Sequence, residues 1–344
     1  MKYSIFFMMI FLLTFFVIAE KITTLSEINK PDLMEISDGK LYIMEGSTVF
    51  LYDLKDKKLI KKFCKRGEGP RELKMNPGIP NFLVMTSDSV IAVSMDKAIE
   101  FSKDGEFKRE MKIPGFTNYL HPVKDGYISV KFNVGKNPSV SVKLIDLDLK
   151  EKKTLYSQKF TGGQNKIDLT FDGVHIAVED NVLYIEESAL GFEISRFDLE
   201  GNPIDRIKKE VAKIPFSNQH EAAAIENLKS NPQIKQMGWE NFKNAVKIIK
   251  QKYMPPIQDM LLDNGNIYIQ TNAIKDGTVE FWVLNKRGKV LKKVFLPKPM
   301  ESSFISKMFG RPGRFYKFHR DTYYYIVENE EEEEWELHAL AVKL

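Results

Sequence analysis

Short runs of alternating apolar and polar residues recur along the chain, and a turn precedes each of them. Asp or Asn stands in each turn, where a tight hairpin needs a residue that tolerates positive φ, and period-two alternation is typical of a strand with one buried face. The six runs are SDGKLYIM (37–44), SDSVIAVS (87–94), KDGYISVKF (124–132), EDNVLYIEE (179–187), DNGNIYIQT (263–271) and RDTYYYIVE (320–328). The pattern predicts six β-hairpins.

A second hairpin follows most of these runs. Examples are VFLYDLKDKKLIKKF, EISRFDLEGNPIDRIKKE and VEFWVLNKRGKVLKKVFL. Two hairpins give four antiparallel strands, which is the unit of a propeller blade. Counted from the Asp or Asn of each turn, at positions 38, 88, 125, 180, 264 and 321, the intervals are 50, 37, 55, 84 and 57 residues, mostly near the length of one blade. We therefore predict an all-β, six-bladed β-propeller of four-stranded antiparallel blades.

The long interval contains a predicted helical insertion, at 216–256, between blades 4 and 5. Asn218 with Glu221 three residues later has the pattern of a capping box, and Pro255-Pro256 ends the segment. The apolar residues with helical spacing are Trp239, Phe242, Val246 and Ile249. The insertion therefore interrupts the ring without adding a blade.

The two ends of the chain are predicted to meet in the last blade. WELHALAVKL (335–344) has the pattern of an outer strand without a partner, and KITTLSEI (21–28) is a β-like segment with no place in the first blade. Pairing of the two segments would close the ring and remove exposed sheet edges. We therefore predict one domain over 20–344, held by packing because the single cysteine, Cys64, cannot form an internal disulfide.

The first 19 residues have the pattern of a secretory signal peptide. Lys2 precedes an apolar run over 5–18, which is shorter than the ~20 residues that span a bilayer, and Val17-Ile18-Ala19 resembles a cleavage site before Glu20. We predict a signal peptide at 1–19 and a secreted or periplasmic mature protein with no membrane span. The alternative is an uncleaved membrane anchor.

Charge argues against nucleic-acid binding. Without the leader the chain has 50 basic and 47 acidic residues, a net charge of +3, and its lysines are spread through many turns. Nucleic-acid binders concentrate basic residues on one face. We predict a monomer that binds no nucleic acid.

The loop RGEGPREL (66–73) after the first blade carries a resemblance to a known group. Together with the blade pattern and the later YMPPIQDMLLDNGNIYI, it resembles the secreted six-bladed propellers of the NHL-like and TolB-like group, many of which have a G-x-G-P-G-E-F loop at this place. Gly67, Gly69, Pro70 and Glu72 match that loop, and Arg71 replaces its third glycine. The resemblance implies a propeller fold and specifies no activity.

The same loop is not a phosphate-binding P-loop. It lacks the Gly-Lys pair, and a proline-broken run into a strand follows it where a P-loop leads into a helix. Its glycines and proline suit a crossing from one blade to the next. A structural role is therefore the first interpretation.

A binding role is the second interpretation, because inter-blade crossings lie on the face where the central channel opens and the insertion would cap the same mouth. Basic crossings there would suit an anionic ligand, such as a carboxylated sugar or a peptide terminus, or a protein partner. The predicted site consists of Arg66, Glu68, Arg71, Lys166, His175, Asp259, Arg311 and Arg314. Alternatively, the arginines are solvated or pair with Glu68 and Glu72.

Metal chemistry is a competing hypothesis. His121, His175, Asp259 and His319 stand near the starts of inner strands, and such positions ring the channel mouth. Their offsets differ and strand side chains alternate, so we predict no metal site and no cofactor. The function predicted is a binding module; a metal-dependent lyase or hydrolase of the NHL or lactonase-like type is the alternative, and a scaffold that binds through its rim is a third.

Overall fold

Six four-stranded antiparallel sheets form the ring of a β-propeller, in a computed structural model that describes residues 19–75, 80–113, 119–133, 139–159, 166–170, 174–187, 191–300 and 314–344. The inner strands of successive blades contact one another around the ring, and blade 6 meets blade 1. The predicted fold class is confirmed. The leader falls almost wholly outside the described residues, and none of the described helices is long and apolar enough to cross a membrane.

The first three blades follow the predicted order, from the inner strand to the outer strand. Blade 1 consists of Leu33–Ser37, Lys40–Glu45, Thr48–Asp53 and Lys58–Phe63. Blade 2 consists of Phe82–Met85, Ser89–Val93, Lys97–Ser102 and Phe107–Lys112. Blade 3 consists of Tyr119–Val123, Gly126–Asn133, Ser139–Ile145 and Glu151–Lys159.

The last three blades include the closing one. Blade 4 consists of Val174–Glu179, Val182–Glu187, Glu193–Phe197 and Pro203–Lys208. Blade 5 consists of Asp259–Asp263, Asn266–Lys275, Thr278–Asn285 and Val290–Pro297. Blade 6 consists of Tyr316–His319, Thr322–Asn329, Glu334–Ala341 and, from the other end of the chain, Glu20–Thr24.

The amino-terminal strand closes the ring as predicted. Glu20 pairs with Ala339, and the Lys21 ammonium lies 2.5 Å from a carboxylate oxygen of Glu336. Hydrogen bonds to Glu336 from Lys21 and then from Asn329 lower the pKa of that carboxyl to about 2. The amino-terminal strand therefore covers the edge of Glu334–Ala341, which would otherwise be unpaired.

The predicted hairpin turns use positive φ at four of the six anchor positions. Asp38, Asp180, Asn264 and Asp321 have φ between 49° and 58°. The prediction is wrong for Asp88, where the Thr86 hydroxyl accepts a hydrogen bond from Ser89 N and closes the turn. It is also wrong for Asp125, because the next residue, Gly126, takes the positive φ of 152° instead.

The insertion contains three helices: α1 (Asn218–Ser230), α2 (Pro232–Met237) and α3 (Trp239–Ala245). The predicted capping box is displaced by one residue, because Ser217 caps α1 and exchanges hydrogen bonds with His220. Ile249 is not helical; it ends the strand Lys247–Ile249, which pairs in parallel with Lys166–Asp168. The insertion has its own apolar cluster, formed by Ile167, Leu169, Leu228, Ile234 and Phe242.

A short neck joins the insertion to the ring. Pro215 and Tyr253 pair as an antiparallel bridge, Phe216 N donates to Lys252 O (3.0 Å), and Met254 N donates to Ile214 O (2.8 Å). The neck lies on the face where each inner strand begins. We call this the crossing face; it carries the crossings between blades, including 64–81 and 209–258, and the turns between second and third strands.

Candidate functional site

Three of the predicted site residues come together at the start of the inner strands. Arg314 donates from Nε and Nη2 to the two carboxylate oxygens of Asp259, at 3.0 and 2.9 Å, and Tyr316 OH donates to Asp259 at 2.7 Å. Burial alone would raise the pKa of Asp259, but the Arg314 guanidinium, helped by His175 and Tyr316, holds it at about 2. The carboxylate is therefore fully charged and fully engaged.

His175 is the third member of this cluster. Its Nδ1 lies 3.6 Å from Asp259, and its Nε2 lies 3.8 Å from a carboxylate oxygen of Glu186. Glu186 is completely buried and directly opposite His175 on the neighbouring strand of blade 4. The imidazole thus lies between two carboxylates, a position that the spacing of His175 and Asp259 alone did not show.

A second ion pair crosses the channel wall between blades 6 and 1. Lys317 donates to Glu35 at 2.7 Å, and both side chains are largely buried. On blade 3, burial and then the nearby Arg314 and Lys317 cations lower the pKa of His121 to about 3, so its imidazole is neutral at physiological pH. Arg314 and Lys317 therefore already have carboxylate partners within the chain.

The RGEGPREL loop folds onto its own glutamate. Gly69 N donates to Glu72 Oε2 (2.9 Å), Glu72 N donates to Gly69 O (3.2 Å), and Lys65–Arg66 pairs in parallel with Glu72–Leu73. A Cβ atom at Gly67 would lie 1.9 Å from Glu72 Oε2, so any larger residue there would displace the Glu72 carboxylate. These contacts support the structural interpretation of the loop.

The other predicted site residues contact different parts of the molecule. Arg71 stacks on Phe107 of the outer strand of blade 2, 4.6 Å from the ring centre, and Arg66 is exposed. Glu68 pairs with Lys74 (2.7 Å), and Glu72 pairs with Lys65 (3.1 Å). Of the alternative interpretation, the exposed Arg66 agrees with solvated arginines, whereas the described residues show no pairing of Arg66 or Arg71 with these glutamates. Lys166 lies in the small parallel sheet of the insertion, and Arg311 falls outside the described residues.

A large groove opens beside the insertion. Its volume is about 1520 Å³, and its lining includes 208–214 after blade 4, 251–256 of the neck, and Thr271, Glu280, Trp282 and Lys293 of blade 5. We call it the insertion groove. It lies on the crossing face, beside the channel mouth and not within it.

A height difference between two blades forms one wall of this groove. The second strand of blade 5 has 10 residues and its third has 8, whereas the corresponding strands of blade 4 have 6 and 5. The longer hairpin of blade 5 continues past a bulge between Gln270 and Ile274, and this part carries Thr271 and Glu280 of the groove lining. Asn272, on this raised part, donates to Pro255 O (2.7 Å) and so fixes the wall to the neck.

The buried carboxylates of the groove are saturated. Asp168 accepts hydrogen bonds from Thr170 N (3.0 Å) and Gln251 Nε2 (2.9 Å), and it thereby fixes the end of the small parallel sheet. Glu193 pairs with Lys208 (2.8 Å) and with Arg206 (3.1 Å). These groups shape the groove and have little capacity left for a ligand.

A stretch of unpaired backbone runs along the groove. Residues 209–214 continue without a turn or bend, Lys209 N donates to Phe192 O (3.0 Å), and Ile214 O accepts from Met254 N (2.8 Å). Between these two anchors, the N–H and C=O groups of 210–213 form no backbone hydrogen bond with any residue the structure describes. We call 210–213 the free edge.

Four lysines of the groove form no ion pair within the described parts of the chain: Lys209, Lys213, Lys252 and Lys293. The ammonium groups of Lys213 and Lys252 lie 5.4 and 5.3 Å from the centre of the same ring, that of Tyr253. Lys293 lies 3.4 Å above the Trp282 ring. Over the whole lining, five lysines face four carboxylates, a net charge of +1.

The histidines near the channel do not form a metal centre with one another. Within the described ranges, no three His, Cys, Asp or Glu side chains are grouped so that they could hold a metal ion. His319 lies 3.9 Å from Asp263, at the opposite end of the channel from the crossing face, so it does not share a site with His175.

Comparison with known proteins gives structural similarities only. No protein-family model matches the chain, and no curated protein matches its sequence. It is similar in structure to a member of the duf4221 family from Bacteroides vulgatus (12% identity, 94% of this chain and 95% of that one, TM-score 0.49). It is also similar to BamB from Moraxella catarrhalis (6% identity, 93% and 99%, TM-score 0.43) and to the β-propeller domain of Cps50 (Swd1) from Myceliophteria thermophila (10% identity, 93% and 98%, TM-score 0.43).

Proposed function

We propose that this protein is a binding module that holds an extended segment of a partner protein in the insertion groove. Small-molecule sites usually have volumes of roughly 300–1,000 Å³. The groove, at about 1520 Å³, exceeds that range. Its size therefore supports a polymeric ligand over a small one.

The free edge is the observation that carries the proposal. An extended peptide adds to an exposed strand edge through main-chain hydrogen bonds, and pockets on either side select its side chains. The free edge offers unpaired N–H and C=O groups over 210–213, in an exposed run without turn or bend. A peptide strand laid along it would satisfy these groups.

The proposal keeps the predicted face and shifts the ligand away from the channel centre. Arg314 and Lys317 already pair with Asp259 and Glu35. An anion at the channel mouth would have to compete with these buried carboxylates, whereas four of the five lysines of the groove form no ion pair among the described residues. The groove therefore suits an external partner better than the channel does.

We further propose that the protein acts as a monomer outside the cytoplasm, within the NHL-like and TolB-like group of propellers. The pattern of residues 1–19 supports export, and the closing strand begins at Glu20, directly after the predicted cleavage site. The mass of the protein recovered from the secreted or periplasmic fraction tests this: a chain that begins at residue 20 is expected, and a chain that retains the leader would contradict it.

The substitution Ala212→Pro tests the groove. Proline removes a backbone N–H that has no partner within the described chain, so stability should change little while strand addition is blocked. Short peptides selected from a random phage-displayed library on the wild-type protein should lose at least tenfold in affinity for this variant. The control is Lys343→Pro, an exposed position that does not line the groove and whose N–H also has no backbone partner among the described residues.

Two results would overturn the proposal. One is that no peptide is selected on the wild-type protein. The other is that selected peptides bind the Ala212→Pro protein as tightly as the wild type, while circular dichroism shows that both proteins are folded.

A further inference from the structure

We infer that the segment held in the insertion groove is acidic, with carboxylates on the residues that face the neck. This inference rests on the proposed function, since it names the chemistry of the ligand of the same groove. It is drawn from the distribution of charge around the free edge.

The cations and the anions of the groove differ in how they are engaged. Asp168 and Glu193 are buried and bonded inside the chain. The ammonium groups of Lys209, Lys213 and Lys252 border the free edge or the neck, and Lys213 and Lys252 are exposed. Of the other two carboxylates, Glu280 accepts a hydrogen bond from Thr271, and Glu210 is exposed on the free edge with no ion pair among the described residues. Three ammonium groups against this one exposed carboxylate leave the charge available to a ligand mainly positive.

Lys213 and Lys252 make the strongest case. Both ammonium groups lie within 5.4 Å of the Tyr253 ring centre, so two like charges approach one aromatic ring from neighbouring strands of the neck. Two positive charges around one ring make the local potential positive, which favours a carboxylate beside either ammonium group. Lys213 also belongs to the free edge. The Cβ atom of the peptide residue directly opposite Lys213 would lie about 5 Å from the Cβ atom of Lys213.

The chain has an acidic stretch of its own, but its shape does not suit this groove. Residues 330–334 are five consecutive glutamates; the first four connect the second and third strands of blade 6, and Glu334 begins the third strand. The side chain of Asn329 accepts hydrogen bonds from Glu331 N (3.2 Å) and Glu332 N (3.3 Å), which bends the stretch into a turn. Strand addition needs an extended segment, so we assign the groove to a different protein rather than to a second copy of this chain.

Two synthetic peptides of the same length test the inference on the purified protein. In one, valine alternates with glutamate; in the other, valine alternates with glutamine. Both carry a fluorophore for anisotropy. The glutamate peptide is expected to bind at least fivefold more tightly at low salt, and the difference should shrink as salt is added, because exposed ion pairs are screened.

The matched variants are Lys213→Gln/Lys252→Gln in the groove and Lys55→Gln/Lys58→Gln in the exposed outer turn of blade 1. The groove pair should lose about 3- to 10-fold in affinity for the glutamate peptide and little for the glutamine peptide. The blade 1 pair, with the same change in net charge, should bind both peptides as the wild type does.

The outcomes separate the inference from the proposed function. If both peptides bind equally and both are blocked by Ala212→Pro, the groove binds peptides but the acidic preference is wrong. If neither peptide binds the wild type, or if Ala212→Pro has no effect, the proposed function fails and the inference fails with it. Concentration-dependent dimers that are lost in Lys213→Gln/Lys252→Gln would assign the groove to a second copy and overturn the inference.

Discussion

Arg314 and Asp259 join three blades at one point. The guanidinium holds both carboxylate oxygens of Asp259 in blade 5, while the backbone oxygen of Arg314, at the entry to blade 6, accepts a hydrogen bond from Met34 N of blade 1 at 2.8 Å. The ion pair therefore lies next to the junction where the ring closes. Its contribution to the fold can be measured separately from any binding role.

Removal of one partner of this pair should be costly. Arg314→Met leaves the buried Asp259 charge without its cation, and we expect a loss of about 3–5 kcal/mol in the free energy of unfolding measured with urea. Lys62→Met, which breaks the exposed pair of Lys62 with Glu27, should cost less than about 1 kcal/mol. Similar losses in the two variants would show that the Asp259–Arg314 pair stabilises the fold no more than an exposed ion pair does.

The same pair predicts a specific loss of stability in acid. The pKa of Asp259 is held at about 2 in the folded protein, below its ordinary value of 3.8. Its stabilising contribution is therefore complete above about pH 4 and is lost as the pH falls towards 2, a change of about 2 kcal/mol. Asp259→Asn should lack this part of the pH dependence, while the contribution of Glu336 remains in both proteins; parallel curves for the two proteins would contradict the assignment.

Replacement of Gly126 by alanine should destabilise the protein far more than the same replacement of Gly39, the equivalent glycine of blade 1. A Cβ atom at Gly126 would lie 2.0 Å from the backbone oxygen of Ile145, so Gly126→Ala should cost about 3 kcal/mol or more. Gly39 also has a positive φ, 72°, but nothing lies within 4 Å of the added atom, and Gly39→Ala should cost only about 1 kcal/mol. Thermal unfolding of the two variants, followed by circular dichroism, compares them; equal losses would count against the clash.

A substitution in the core of the insertion should unfold the insertion and leave the propeller ring folded. Phe242 belongs to the apolar cluster of the insertion, which is separate from the clusters of the blades. Phe242→Ala should destabilise that cluster by about 3 kcal/mol and speed proteolysis within 218–245, with the unfolding temperature of the propeller unchanged. Met237→Ala, at a position 52% exposed, is the control and should be cleaved like the wild type. Coupled melting of ring and insertion would show that they form one cooperative unit.

The local sequence pattern was sufficient to predict the blades, because each hairpin is specified by its own turn residues and by its own alternation of apolar and polar positions. Closure by residues 20–24 also followed, since one strand at each end lacked a partner. Ile249 was assigned wrongly because helical spacing and a short buried strand look alike over three or four residues, and its strand partner, Lys166–Asp168, lies far earlier in the chain.

The site was predicted only in part, for a similar physical reason. His175 and Asp259 were chosen for their positions near the starts of inner strands, and Arg314 for its place in an inter-blade crossing. The structure brings the three together, but neither argument could show that Asp259 already neutralises Arg314. The insertion groove depends on the difference in height between blades 4 and 5 and on a crossing that finds no partner among the described residues.

The closing strand also fixes when the molecule can finish folding. Glu20 pairs with Ala339, so the first residues of the domain cannot take their place until nearly the whole chain has been synthesised. Contacts between such distant residues carry a high entropic cost of loop closure and slow the folding of β-proteins. Until then Glu20–Thr24 lacks the strand with which it pairs, and its backbone groups are open to pairing with other chains.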